Sequence, residues 1–337
     1  MDTMRLGRTN ITVNRNGFGA LPIQRITKEE AAALLRRALD GGIQWYDTAR
    51  AYSDSEEKIG YAFADIPRDS YYISTKTAAL TPADFWSDLA TSLEMLKTDY
   101  IDVYQFHNPA FCPRPGDGTG LYEAMEEAKA QGKIRFIGLT NHRLPVATEA
   151  VESGLYDVVQ FPFSYLASEK DEALVQLCAE KDVGFLCMKA LSGGLINRSD
   201  AAYAYLAQYP NTLPIWGVQK MSELEEFLSY QTTPPTMTAE IRALVDHDRK
   251  ELIGDFCRGC GYCMPCPQGI EINNCARMSL MLRRAPTESW LTPEWQEKMK
   301  KIETCLHCGH CSSRCPYGLD TPALLQKNYQ DYLTYLK

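Results

Sequence analysis

Two groups of residues in this chain have types and spacings suited to chemistry. The first is cysteine. Cys257, Cys260, Cys263 and Cys266 recur every third residue, and Pro267 follows. Cys305, Cys308, Cys311 and Cys315 repeat that run with one more residue before the last cysteine, and Pro316 follows. Clustered thiolates are metal ligands. Three of them spaced by two residues can wrap three corners of one iron-sulfur cube, while a fourth, turned away at a proline, serves the neighbouring site. Two four-cysteine zinc sites and a disulfide framework are the other readings of such density. The second group is Asp47, Tyr52, Lys76 and His107. A tyrosine hydroxyl ordinarily titrates near pH ~10, too high for easy acid catalysis at neutrality. A nearby ammonium favours the phenolate and lowers that value. A carboxylate keeps the ammonium charged and in place, and a neutral imidazole can hydrogen-bond a carbonyl oxygen. Together they form a device for delivering a proton to a carbonyl while a hydride arrives from elsewhere.

Something must bring these four residues together. Short apolar runs end just before or at them: Trp45–Asp47, Tyr71–Ser74 and Ile101–Phe106. Similar runs lie near Arg15–Phe18 and at Phe136–Leu139, Val158–Phe161, Gly184–Cys187 and Leu213–Trp216, which makes eight predicted strands. Helical patterns separate them. From Thr27 to Asp40, Ala31, Leu34, Leu35, Ala38 and Leu39 form one apolar stripe. Thr27 with Glu30 reads as its capping box and Gly41 as its stop. Thr81-Pro82 opens a second helix. Ser222 with Glu225 is expected to open another. Eight strand–helix units in about 230 residues predict an α/β fold, a (β/α)8 barrel, whose chemistry sits at the C-terminal ends of the strands. The rival open sheet would carry a completed G-x-G-x-x-G loop, and Asn16–Pro22 does not supply one.

The chain has 337 residues, which suggests about two domains. We expect a barrel over residues 1–235, a Pro-rich break at Thr232–Thr236, and residues 236–337 as a helical linker (Thr238 to Ile253) followed by a small ferredoxin-like domain. Nine of the twelve cysteines fall in that second part. Cys275 reads as a packed thiol, and His307 and His310 as neighbours of the second cysteine run. Pro286, Trp290, Pro293 and Trp295 suggest that the stretch between the runs packs against another surface. With 35 basic and 43 acidic residues, net −8, the chain lacks the footprint of a nucleic-acid binder. No run of about 18 apolar residues predicts a membrane span. Residues 1–10 do not read as a signal peptide, so a cytoplasmic location is expected.

The string Asp47–Gly60, with Ser74-Thr75-Lys76 and Asp102–His107, resembles the signature of the aldo-keto reductase family, in register over about residues 4 to 230. The resemblance implies Tyr52 as acid–base residue, Lys76 and Asp47 as its tuners, and His107 as carbonyl orienter. It also implies an NADP (or NAD) cofactor extended across the barrel mouth, and a small carbonyl or alcohol substrate. Gly138–Asn141 resembles the family's strand-five motif. Thr140 keeps its hydroxyl, and Asn141 and Gln160 fall where the nicotinamide amide is held. Cys187–Leu191 sets Met188 against the nicotinamide and Lys189 toward the pyrophosphate. Gly217–Glu225 resembles the adenosine-phosphate segment, with Lys220 as the cation for a 2′-phosphate. The cysteine runs resemble bacterial ferredoxins with two 4Fe-4S clusters. That likeness implies crossed ligation: Cys257, Cys260, Cys263 and Cys315 on one cluster, and Cys305, Cys308, Cys311 and Cys266 on the other. The combination resembles the branch of aldo-keto reductase-like oxidoreductases with a C-terminal 4Fe-4S domain. Electron exchange with a partner and a purely bracing role for the clusters are both open. So is an electron-transfer protein on a barrel without hydride chemistry.

Overall fold

Eight strands of the computed structural model pair in parallel and close into a barrel. The structure describes residues 3–252, 256–284 and 287–336; Ile253 and Pro286, named above, lie outside them. Two short strands, β1 (Thr3–Arg5) and β2 (Thr12–Asn14), come first. The barrel strands are β3 (Gly17–Gly19), β4 (Trp45–Asp47), β5 (Tyr72–Thr77), β6 (Ile101–His107), β7 (Ile134–Thr140), β8 (Val158–Pro162), β9 (Gly184–Met188) and β10 (Thr212–Gly217). Strand β10 pairs with β3 to complete the ring. The helices between them are α1 (Lys28–Asp40), α2 (Ser55–Ala62), α3 (Pro82–Leu96), α4 (Leu121–Ala130), α5 (Leu144–Ser153), α6 (Glu169–Glu180), α7 (Ser199–Leu206) and α8 (Met221–Thr232).

Local sequence accounts for several of these boundaries. Thr27 and Glu30 form the capping box of α1, and Gly41 ends the helix. Thr81 caps α3 and Pro82 opens it. Helix α8 departs from expectation. It begins one residue before Ser222 with Lys220 at the N-cap, and the capping side chain is that of Glu223, three residues on, whose carboxylate accepts from the backbone N–H of Gln219 and Lys220. Glu225 instead pairs with Arg37 of α1.

The β1–β2 hairpin was not anticipated. Met4, Leu6, Ile11 and Val13 share one core with Trp45 and Val158, the first residues of their barrel strands. The hairpin therefore plugs the N-terminal end of the barrel and leaves the other end for chemistry.

Residues group into two compact units. One is Met1–Ala190 with Tyr203–Met237; the other is Leu191–Ala202 with Thr238–Lys337. The second begins with α9 (Ala239–Glu251); α10 (Ile272–Cys275), α11 (Met278–Arg284), α12 (Pro293–Lys300), α13 (His310–Ser313) and α14 (Thr321–Thr334) then pack around a core that includes Ile272, Met278, Met299 and Tyr332. Trp290 and Trp295 lie ring to ring, 4.8 Å apart, at the edge of that core. Buried Asn328 ties α14 to Ala276 and to the start of α11 through two hydrogen bonds. Among the described residues, no helix is long and apolar enough to cross a membrane.

Candidate active site and cysteine cavities

Strand register sets the first site. Asp47 lies beside Ser74, Lys76 beside Gln105, His107 beside Thr140, and Thr140 beside Gln160. The inward residues then meet across the barrel. Lys76, only 1% exposed, donates from Nζ to Asp47 Oδ1 at 2.7 Å and to the carbonyl of Thr48. Asp47 Oδ2 accepts from Ser74 Oγ at 2.7 Å. Gln160 Nε2 donates to Asp47 Oδ1 at 3.2 Å, and Gln105 Nε2 donates to Gln160 Oε1 at 2.7 Å. Burial pulls the Lys76 ammonium below the usual lysine range, and the charge and hydrogen bond of Asp47 oppose that pull.

Tyr52 sits above this pair. Lys76 Nζ lies 5.2 Å from its ring centroid. The ring of His107 meets it edge-on at 5.9 Å. Burial, reinforced by the Lys76 charge, pushes the His107 pKa down to about 3, so the imidazole is neutral at physiological pH. The Tyr52 loop is pinned from below. The backbone N–H of Thr48 and of Arg50 continue the ladder onto the carbonyls of Ser74 and Lys76. Glu56, almost fully buried, accepts from Thr75 Oγ1, Ser92 Oγ and Arg50. Lys58 donates to the carbonyls of Ile23 and Ile26.

The cofactor candidates divide by position. Gln160 is joined to the Asp47 network. Asn141 is buried, donates to the carbonyl of Pro109 and accepts from the backbone of Arg143. Thr140 Oγ1 approaches Met188 Sδ at 3.8 Å. Lys189 follows Met188 in the left-handed region, φ 55°. Gly217 ends β10, and Lys220 is the exposed N-cap residue of α8. The described contacts link neither Gly217 nor Lys220 to the four residues around Tyr52.

Sequence reasoning passed over several members of the site. Ser74 and Gln105 bond within the core network, and alternation was the available signal, since Ser74 precedes Lys76 by two positions and Gln105 precedes His107 by two. Arg143 was missed as well. Its Nη1 is buried and has no hydrogen-bond partner among the described residues. An orphaned guanidinium nitrogen after β7, next to Asn141, fits a ligand bearing anionic or amide acceptor groups.

In the second unit, no disulfide joins any of the eight run cysteines. Cys257, Cys260, Cys263 and Cys315 line one cavity. Cys266, Cys305, Cys308 and Cys311 line another, with His310 at its edge. His307 is exposed. Cys275 lies outside both cavity linings; it is fully buried, and burial pushes its thiol up to about 12.

Residues 15–201 match the Aldo/keto reductase family. The chain belongs to that family. Residues 256–320 match a 4Fe-4S dicluster domain. Among known proteins, the chain is similar to L-galactose dehydrogenase of Arabidopsis thaliana, 29% identical over 57% of this chain and 66% of that protein. It is also similar to the NADH-specific methylglyoxal reductase of Escherichia coli, 26% identical over 58% and 69%. The chain thus spans about two thirds of the length of these relatives. An aldo-keto reductase from Klebsiella pneumoniae, solved in complex with NADPH, shares the fold. Its TM-score is 0.63 at 22% identity, covering 73% of this chain and 94% of that one.

Proposed function

We propose that the chain is an NAD(P)-dependent oxidoreductase that interconverts a small aldehyde or ketone with its alcohol. Residues 1–235 carry that chemistry and residues 236–337 carry two 4Fe-4S clusters. The observation that carries the first part is the buried Asp47–Lys76 pair beneath Tyr52, with His107 across the ring. In the reducing direction the Tyr52 hydroxyl gives its proton to the carbonyl oxygen. Lys76 stabilises the phenolate that remains, and Asp47 holds Lys76 charged within a buried site. Neutral His107 donates an N–H hydrogen bond to the same oxygen and orients it. In the oxidising direction the phenolate takes the proton back. The nicotinamide, when bound, supplies or accepts the hydride. Asn141, Gln160 and Met188 would hold it, with Lys189 toward the pyrophosphate, Thr140 and Gly217 as further cofactor contacts and Lys220 meeting a 2′-phosphate.

The two four-thiol cavities fit two clusters. Their linings support ligation of one by Cys257, Cys260, Cys263 and Cys315, and of the other by Cys266, Cys305, Cys308 and Cys311. Such clusters pass electrons singly. A cytoplasmic site of action and an electron-transfer partner belong to this reading.

The test is a panel of small aldehydes and ketones, methylglyoxal included, offered with NADPH or NADH to the anaerobically purified chain. Tyr52→Phe keeps the ring and removes the proton donor. Turnover should fall by roughly two orders of magnitude or more, with nicotinamide binding nearly unchanged. Full activity in that variant removes Tyr52 from the acid role. Failure of every carbonyl and alcohol, with clusters intact, favours an electron-transfer protein without hydride chemistry.

A further inference from the structure

Arg277 stands between α10 and α11, in the unit that carries the cysteines. Its guanidinium lies against the turn between Cys257 and Cys260. A Cβ on Gly259, which holds φ +63°, would stand 2.8 Å from its Cζ and Nη1. Glycine suits that backbone, and a side chain there would have to displace the guanidinium. Nη1 donates to the carbonyl of Gly193 at 2.7 Å, which fixes the group in place. Nε is sealed from solvent and has no hydrogen-bond partner among the described residues. No carboxylate among those residues pairs with Arg277. Burial disfavours its charge, and among the described residues the thiolates of Cys257 and Cys260 oppose that effect.

A guanidinium withdrawn from water needs a counter-charge and an acceptor for each sealed N–H. Among the described residues, no carboxylate supplies that charge and no acceptor meets Nε. Arg258 lines the cavity itself, whereas Arg277 stands behind the Gly259 turn; the Arg258 guanidinium is stacked on the rings of Phe256 and Tyr317, at 4.7 and 4.3 Å. The second cavity has no arginine or lysine in its lining.

We propose that Arg277 is the fixed counter-cation of the cluster held by Cys257, Cys260, Cys263 and Cys315, and that it raises the midpoint potential of that cluster alone. The proposal rests on the cluster reading above. Each added electron makes a thiolate-ligated cluster more negative. A fixed cation beside it therefore favours the reduced form, and net charge and hydrogen bonds to sulfur are the established levers on such potentials. The two clusters would then differ in potential because their surroundings differ in charge.

The experiment is a redox titration of the full chain, prepared anaerobically, reduced with dithionite through mediators and followed by electron paramagnetic resonance. Iron and sulfide are measured first. Arg277→Gln should shift one cluster to a more negative midpoint and leave the other in place. The shifted signal should be the one that Cys260→Ser removes or alters. Arg277→Lys keeps the charge and should restore most of the shift. Loss of one cluster in Arg277→Gln but not in Arg277→Lys also supports the proposal. Unchanged midpoints in Arg277→Gln at full iron content overturn it, as do equal shifts, or equal loss of iron, in both variants. A wild-type chain without iron and sulfide overturns the cluster reading instead.

Discussion

A lysine inside a barrel keeps its charge only if something holds it. Lys76 has Asp47, and Asp47 is itself held by Ser74 and Gln160. The pair carries a large desolvation cost that its own geometry must offset, so removing one partner is worse than replacing both. His107 meets the same environment with the opposite result. Burial and the nearby ammonium deprive it of its proton rather than stabilising one. This has a consequence for stability. In the unfolded chain His107 titrates at its ordinary 6.5, whereas in the fold it stays neutral down to about 3. Between those values the unfolded state binds more protons, so stability falls as the pH falls. Moving from about pH 7.5 to about pH 5.5 should cost the native chain about 1.4 kcal/mol more than it costs His107→Gln. Paired denaturant titrations at the two pH values read this difference, and the effects of the remaining groups cancel in the comparison. Equal losses in both proteins would mean that the fold does not lower the pKa of His107.

At the scale of elements, the barrel works through register. Strands β4 to β8 each bring one or two polar side chains inward at matching heights, and neighbours with small side chains make room for them. Gly138 of β7 is such a neighbour. A Cβ there would stand 2.8 Å from Gln105 Cγ and 2.9 Å from Val103 Cγ1. Both atoms lie close to their own backbone and cannot swing aside. Gly138→Ala should therefore destabilise the barrel by about 1–3 kcal/mol, as overpacked cores do. It should also disturb Gln105, and through it Gln160 and Asp47, so kcat should fall while the iron content holds. Thermal unfolding together with steady-state rates would show this; a variant with native stability and rate would mean that the strands separate freely at this point.

Across the whole molecule, the thiols differ in how far a reagent can reach them. Cys178 and Cys187 are sealed within the barrel unit, and burial raises both thiols, Cys178 to about 12. The eight run cysteines face cavities. The anaerobic protein should be brown and contain about eight iron atoms with matching acid-labile sulfide. After chelation, an alkylating reagent should label Cys308 and the half-buried run cysteines and spare Cys178 and Cys187, because the reagent must reach the sulfur. Mass spectrometry of the digested protein distinguishes the two groups. Stoichiometric zinc without sulfide would sink the iron-sulfur assignment.

Much was legible before any coordinate. The eight apolar runs, the helix-opening pairs at Thr27–Glu30 and Thr81-Pro82, and the duplicated cysteine spacing are local patterns, set by backbone and side-chain preferences within a few residues. The α8 cap was misread because Ser222 and Glu225 have the right types, while Glu223 has the right position relative to two backbone N–H groups. Contacts between distant segments left little local trace. Nothing near Leu6 marks it as part of a plug under Trp45 and Val158. The ring of hydrogen bonds through Ser74, Gln105 and Gln160 depends on the shear of neighbouring strands. Arg277 is one arginine among many until Gly259 and Gly193 close around it. Sequence by itself determined which elements form and which residues carry reactive groups, because those follow from short-range periodicity and type. Tertiary structure alone decided which of those groups meet, which lose water and which charges are left to be matched, because desolvation and pairing arise only when segments far apart in the chain are packed together.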